Sequence, residues 1–203
     1  MDDEACREAS KQEVLRRYFK ALCDLKTGTG TQDTVSRLEF LMSRLGINVA
    51  DRKIVEVAKK KSEDNENCGA VALELQDGRI VTGKNTKRMS ASAACVFNAV
   101  KMLAGIKDNQ KLISPYVIGP IIDLKTKILK EHNKTLTLEE ALIALSICAA
   151  SDANAATAME QLPLLEGCDA HSTHMLFKAD ENPFRKLGVR LTCSPEFLDN
   201  TDR

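Results

Sequence analysis

Residues 68–82 read Cys-Gly-Ala-Val-Ala-Leu-Glu-Leu-Gln-Asp-Gly-Arg-Ile-Val-Thr, and this stretch decides the fold. The run from Cys68 to Leu75 is mostly apolar and favours a β-strand. Gln76-Asp77-Gly78 then supplies the positive φ that a tight turn needs, and Arg79–Thr82 returns as a second strand. The stretch therefore predicts an antiparallel hairpin.

The sequence before the hairpin predicts three helices. Apolar residues recur every three to four positions from Val14 to Leu25 and again from Val35 to Leu45, with Gly46 as a C-cap, and a third helix opens at Asp51. The polar run Lys59–Asn67 follows and marks a boundary. We expect a helical subdomain over residues 1–64 and an α/β subdomain over residues 65–203.

The sequence after the hairpin predicts buried helices and two short strands. Four helices are expected within 90–105, 114–129 (broken or kinked at Pro120), 141–150 (opened by a capping box, Thr137-x-x-Glu140) and 152–162, followed by a strand in 168–177, a helix in 181–187 and a strand in 189–193. The fold class predicted is α+β, layered α/β/α, with a three-helix segment followed by a small mixed sheet packed with buried helices.

Composition excludes several classes of function. Lysine plus arginine equals aspartate plus glutamate at 29 each, so no net field attracts nucleic acid or a membrane surface, and neither is predicted as a partner. The seven cysteines contain no C-x-x-C pair, so no zinc is expected and any other cofactor is left open. The odd cysteine count and the absence of a signal-peptide pattern predict a cytoplasmic protein.

The loop after the hairpin is the first candidate site. Thr82, Gly83, Lys84 and Asn85 lie just ahead of a helix that opens near Ser90, where free backbone N–H groups favour an anion. These five residues are the predicted ligand-binding set. The alternative is a plain strand-to-helix loop in which Ser90 is an N-cap.

The polar run 169–174 is the second candidate site. On a strand, Asp169 and His171 share one face, so His171 could be a general base oriented by Asp169, with Ser172 beside it as the other predicted catalytic residue. His171 and His174 point to opposite faces and so do not form a metal-ligand pair. The alternative for His171 is a hydrogen-bonded structural role.

The chain also resembles a bacterial family, through segments that include 77–84, 90–94, 112–115, 141–150, 160–163 and 184–188. It is identified as the C-terminal portion of domain-of-unknown-function family 1846, which has no agreed function. The resemblance implies that complete members carry a phosphate-binding-like Gly-rich segment in an N-terminal half that has no counterpart here. More loosely, the sheet resembles the cytidine-deaminase layered sheet without its zinc ligands.

Two functions follow from these observations. The first is a C-terminal module that docks on a nucleotide-binding-like N-terminal half and self-associates; it predicts an exposed apolar patch on the first three helices. The second is an enzyme domain for a nucleotide or phosphorylated metabolite, with its site around Thr82–Asn85, Ser90 and His171-Ser172. It predicts that His171 lines a cleft within reach of Lys84 or Ser90.

Overall fold

The computed structural model describes residues 3–66 and 68–198, which form eight α-helices and four strands. The helices are α1 (Asp3–Lys26), α2 (Gln32–Leu45), α3 (Lys53–Glu63), α4 (Ala91–Ala104), α5 (Pro115–Asp123), α6 (Leu138–Ala149), α7 (Ala153–Glu160) and α8 (Lys178–Lys186). The strands are β1 (Ala70–Glu74), β2 (Ile80–Lys84), β3 (Asp169–Ser172) and β4 (Arg190–Cys193). The predicted fold class and element order are confirmed.

The strands form one mixed sheet in the order β2-β1-β3-β4. β1 is antiparallel to both β2 and β3, and β3 is parallel to β4. The predicted hairpin is confirmed, with Leu73 opposite Val81 and Gly78 at a φ of 83°. The Asp77 side chain accepts a hydrogen bond from the N–H of Arg79 at 3.0 Å, which fixes the turn.

Helices cover both faces of the sheet. Val71, Leu73 and Val81 belong to the main core, which includes buried residues of α4, α6, α7 and α8. On the other face, Ala72 packs against Ile54 and Ala58 of α3. The predicted boundary at residue 64 therefore falls between two elements that are in contact.

Gly83 sets the distance between the sheet and α4. A Cβ atom at this position would lie 2.2 Å from the backbone nitrogen of Cys95 and 2.5 Å from the carbonyl oxygen of Ala91. Only glycine lets the helix approach the strand this closely, because both neighbours are backbone atoms. Gly83 is thus explained by packing.

Local sequence signals were mostly accurate. Gly46 ends α2 in the left-handed conformation, and the Thr137–Glu140 capping box is present. The third helix begins at Lys53 rather than Asp51, because residues 49–51 form a 3-10 turn that is closed by its own capping box. No helix within residues 3–66 or 68–198 is long and apolar enough to span a bilayer.

A break or a kink was predicted at Pro120, and the helix is not broken there. α5 continues through Pro120 to Asp123 and then widens into a π-helical segment, Leu124–Ile128. Proline has no N–H group, so the carbonyl group of Tyr116, four residues earlier, lacks its helical hydrogen-bond donor. Tyr116 is 90% exposed, so water can reach this carbonyl group.

Candidate functional site

The sheet divides the residues predicted to form one site. Directly paired residues project to the same face, so Thr82 and His171, both opposite Ala72, lie on the α3 side. Gly83 and Ser172, both opposite Val71, lie on the α4 side. The predicted catalytic and ligand-binding residues therefore do not converge on one cleft.

His171 is buried and fully bonded. It is 1% exposed, its Nδ1 lies 2.9 Å from the Thr192 hydroxyl, and its Nε2 lies 3.1 Å from the Ser194 hydroxyl. Its ring packs against Phe19 with centroids 4.8 Å apart. Burial, with a smaller contribution from the charge of Arg52, lowers the pKa of His171 to about 3. This is the placement expected of the structural alternative.

Ser172 has a local role on the opposite face. Its hydroxyl is fully buried and accepts a hydrogen bond from the N–H of His174 at 3.3 Å. β3 ends at Ser172, so the strand alternation expected to continue to residue 177 stops there. Burial lowers the pKa of His174 to about 4.

The loop from Thr82 to Ser90 uses its polar groups internally. Lys84 Nζ donates to the Asn65 side chain, and Asn85 Oδ1 accepts from the N–H of Ala91 at 2.7 Å. Ser90 is the N-cap of α4 and accepts from the N–H of Ala93 at 3.2 Å. The donors expected to bind an anion therefore already have partners, as in the plain-loop alternative.

Asp180 is a buried carboxylate that sequence reasoning did not single out. Its Oδ1 accepts from Ser90 Oγ at 2.7 Å and from the N–H of Leu138 at 2.8 Å. Asp180 itself lies in the first turn of α8, so one carboxylate joins the starts of α4, α6 and α8. Burial raises its pKa although both hydrogen bonds lower it. Because Ser90 Oγ donates its proton to Asp180, that hydroxyl is not available to donate to a bound anion.

Arg52 forms the densest polar cluster, also absent from the predicted site. Its side chain is 1% exposed, and Nη1 contacts Asp169 Oδ1 at 3.0 Å and Gln12 Oε1 at 3.2 Å. Nε donates to Thr192 Oγ1 at 3.1 Å, and Nη2 donates to two backbone carbonyls. Asp169 also contacts Arg190 at 2.8 Å. The predicted pairing of Asp169 with His171 is therefore wrong, because the arginines occupy this carboxylate.

We call this cluster the Arg52 node; it comprises Gln12, Arg16, Arg52, Asp169, Thr192 and Arg190. It joins α1 to the beginning of α3 and to β3 and β4. Burial lowers the pKa of Arg52, and the neighbouring Asp169 charge opposes that change. A polar cavity of about 610 Å³ opens beside the node, with Glu8, Lys53 and Glu74 among its lining residues. His171 does not line it.

Three large apolar side chains are exposed on α2, among the charged residues of the first two helices. α2 packs on α1 through a small core that contains Leu15 and Met42. Phe40, Leu41 and Leu45 point outward and are 67, 40 and 54% exposed. We call these three residues, with the adjoining grooves against α1, the α1–α2 face. It lies where the docking hypothesis expected an exposed apolar patch.

Comparisons with known proteins give the family. The model described as "Domain of unknown function DUF1846, C-terminal" matches residues 50–201, and its N-terminal counterpart matches residues 1–46. A UPF0371 protein of Clostridium botulinum (strain Alaska E43 / Type E3) is 47% identical over 204 residues, and one of Clostridioides difficile (strain 630) is 46% identical. Each alignment covers 97% of this chain and 41% of the relative. The chain therefore belongs to the uncharacterised DUF1846 (UPF0371) family.

Proposed function

We propose that this chain is a docking module whose α1–α2 face receives the rest of the N-terminal domain found in longer family members. One observation carries the proposal. α1 and α2 coincide with the 46 residues that match the N-terminal family model, and α2 leaves Phe40, Leu41 and Leu45 in water. Large apolar side chains left exposed beside a groove, as Leu41 and Leu45 are, are typical of protein interaction sites.

The Arg52 node supports this function because it attaches α1 to the sheet. Gln12 of α1 bonds to Arg52, and Arg16 of α1 lies 3.5 Å from Asp169, so residues matched by the N-terminal family model hold residues matched by the C-terminal one. α1 is thus fixed to the sheet. A partner bound on the α1–α2 face would be held rigidly relative to the C-terminal domain.

The expected partner remains the one implied by the family resemblance. We propose that it is the nucleotide-binding-like N-terminal half, so that phosphate binding belongs to the partner and positioning belongs to this chain. We place the module in the cytoplasm. The seven cysteines, all free thiols, are compatible with the reducing conditions there.

Calorimetric titration tests the docking. The chain is mixed with the segment of the Clostridioides difficile relative that it does not cover, and we expect binding that Leu41→Asp combined with Leu45→Asp weakens at least about tenfold, or by 1.4 kcal/mol. Ile143→Asp, an exposed substitution on α6, is the matched control and should bind like the unmodified chain. Equal binding by all three proteins, or binding by none, contradicts the proposal.

The polar cavity favours a second candidate function, the binding of a small molecule. The cavity has a volume of about 610 Å³, and its lining residues carry both signs of charge: Lys53 and Arg190 are basic, and Glu8 and Glu74 are acidic. We propose a nucleotide or phosphorylated metabolite as the ligand, the same class that was predicted for the enzyme domain. The proposed binding position is now the cavity beside the Arg52 node. Charged groups at a pocket are able to orient such a ligand.

Thermal-shift measurements test this second candidate. A panel of nucleoside mono-, di- and triphosphates and sugar phosphates is added to the chain, and a ligand at a hundred times its Kd should stabilise the fold by about 2.7 kcal/mol. The Lys53→Ala and Arg190→Ala variants should lose that shift. A panel without any shift, or shifts that both variants retain, would reject this candidate.

A further inference from the structure

α5 is an apolar helix without a buried residue. Its sequence, Pro-Tyr-Val-Ile-Gly-Pro-Ile-Ile-Asp, is almost entirely apolar, yet none of its side chains is fully shielded by the described chain. Tyr116 is 90% exposed. A helix of this composition is normally found inside a protein, since apolar residues on most faces favour burial on most faces.

The neighbouring helix extends the same surface. The N–H of Ser114 donates to Cys148 Sγ at 3.4 Å, and Lys125 Nζ lies 2.8 Å from Glu140 Oε2. These two contacts show that α5 and the π-helical segment run antiparallel beside α6. Ile143 on α6 is 56% exposed and lies between the two contact points.

The π-helical segment turns further apolar residues outward. Ile121 and Lys125 face inward, and an unbroken α-helix would bring residues 128 and 129 to that same side. Ile128 and Leu129 are instead 69 and 58% exposed, because the wider turn changes the spacing. The segment is not loosely attached, since Lys125 Nζ is bonded both to Glu140 and to the Thr135 carbonyl at 2.9 Å.

We propose that this surface, the α5–α6 face, is the interface with a second copy of the same chain. It comprises Tyr116, Leu124, Ile128, Leu129, Ile143 and Ile147. At 46 to 90% exposure these side chains leave on the order of 600 Å² of apolar surface in water, at the upper end for a single monomer. That is close to the roughly 800 Å² that each partner contributes to a stable interface.

Two further observations favour a second copy. The 29 basic and 29 acidic residues give a net charge of zero, so identical chains do not repel one another at a distance. The helices of this face belong to the core on the α4 side of the sheet, while α1 and α3 cover the other side. Docking at the α1–α2 face therefore leaves the α5–α6 face open, and two-fold pairing of α5 and α6 gives a closed dimer.

Light scattering coupled to size-exclusion chromatography tests the proposal on the full chain. The expected mass is twice 22.3 kDa. Ile143→Asp and Ile128→Asp should each weaken the dimer at least tenfold, so that both variants elute as monomers at concentrations where the unmodified chain is dimeric. Circular dichroism checks that both variants remain folded, as expected for substitutions at exposed positions.

The control separates this proposal from the docking proposal. Leu41→Asp with Leu45→Asp alters the α1–α2 face and should leave the dimer mass unchanged. A monomeric unmodified chain, or a dimer that persists in both isoleucine variants, would overturn the assignment. A dimer lost only in the leucine variant would move self-association to the α1–α2 face and overturn it as well.

Discussion

The buried ionisable residues on the two sides of the sheet have different kinds of partner. On the α3 side, Arg52 is neutralised by Asp169 and bonded by groups from three other elements, including α1. On the α4 side, Asp180 has no cation within salt-bridge distance among the described residues and is instead bonded by a hydroxyl and a helix N–H. The first arrangement joins residues matched by the N-terminal family model to residues matched by the C-terminal one. The second joins the starts of α4, α6 and α8, which all lie within the part matched by the C-terminal model.

The largest effect is expected from Arg52→Met. This substitution keeps the bulk of the side chain but leaves Asp169 and two backbone carbonyls without their buried partner. Breaking one half of a buried ion pair typically costs 3–5 kcal/mol. Because Asp169 keeps Arg16 and Arg190 as partners, we expect a loss at the lower end, about 3 kcal/mol, in the free energy of unfolding. Urea denaturation measures it. A loss below about 1 kcal/mol would show that the Arg52 node does not hold α1 to the sheet.

Asp180→Asn should have a smaller effect. The amide oxygen can still accept both hydrogen bonds, because both end on Oδ1, but the carboxyl group near the starts of α4, α6 and α8 is replaced by a neutral amide. We expect a decrease of about 1–3 kcal/mol in the free energy of unfolding, with a larger decrease for Asp180→Ala. If both variants were as stable as the unmodified chain, helix capping would not explain this buried carboxylate.

The pH dependence of stability also distinguishes the buried histidines of the sheet region from Asp180. His171 and His174 have pKa values lowered to about 3 and about 4, whereas their unfolded pKa is near 6.5. As pH falls below 6.5 the unfolded chain takes up protons that the folded chain refuses, so stability decreases. The two histidines give a slope of up to about 2.7 kcal/mol per pH unit.

The raised pKa of Asp180 acts in the opposite direction, because the folded chain binds that proton more readily as pH falls. Chemical denaturation at a series of pH values between 4.5 and 7 gives the slope. His171→Gln should reduce it by about half. A stability that is flat over this range would mean that the histidines are not held neutral.

The smallest effect on stability is expected from Leu41→Asp combined with Leu45→Asp. Both side chains are exposed, so the free energy of unfolding of the isolated chain should change by no more than about 0.5 kcal/mol per site. Thermal denaturation measures this change. A large loss would mean that these leucines stabilise the chain itself, and the docking argument would lose its main support.

Sequence reasoning succeeded where the determining residues are close together. The Asp77-Gly78 turn and the Thr137–Glu140 capping box depend on residues within a few positions of each other, and both are present. The Arg52 node depends on Asp169, 117 residues away, and neither residue carries a local pattern that would pair them. The contact between Asp180 and Leu138 spans 42 residues.

The candidate site was misplaced for a related reason. Alternation along β3 correctly placed Asp169 and His171 on one face, but it could not show that arginines from α1, α3 and β4 would surround the carboxylate. Leu41 and Leu45 of α2 belong to the predicted helical stripe, whereas Phe40 does not. That Phe40 and Leu41 would remain uncovered depends on which elements pack nearby.

The most direct test of the docking proposal uses Cys6, an exposed thiol that lines a groove of the α1–α2 face together with Leu45. Its rate of modification by a maleimide is followed by mass spectrometry, with and without the uncovered segment of the Clostridioides difficile relative. We predict at least tenfold slower modification when that segment is present, and no slowing in the Leu41→Asp/Leu45→Asp variant. An unchanged rate in the unmodified chain would contradict docking at this face.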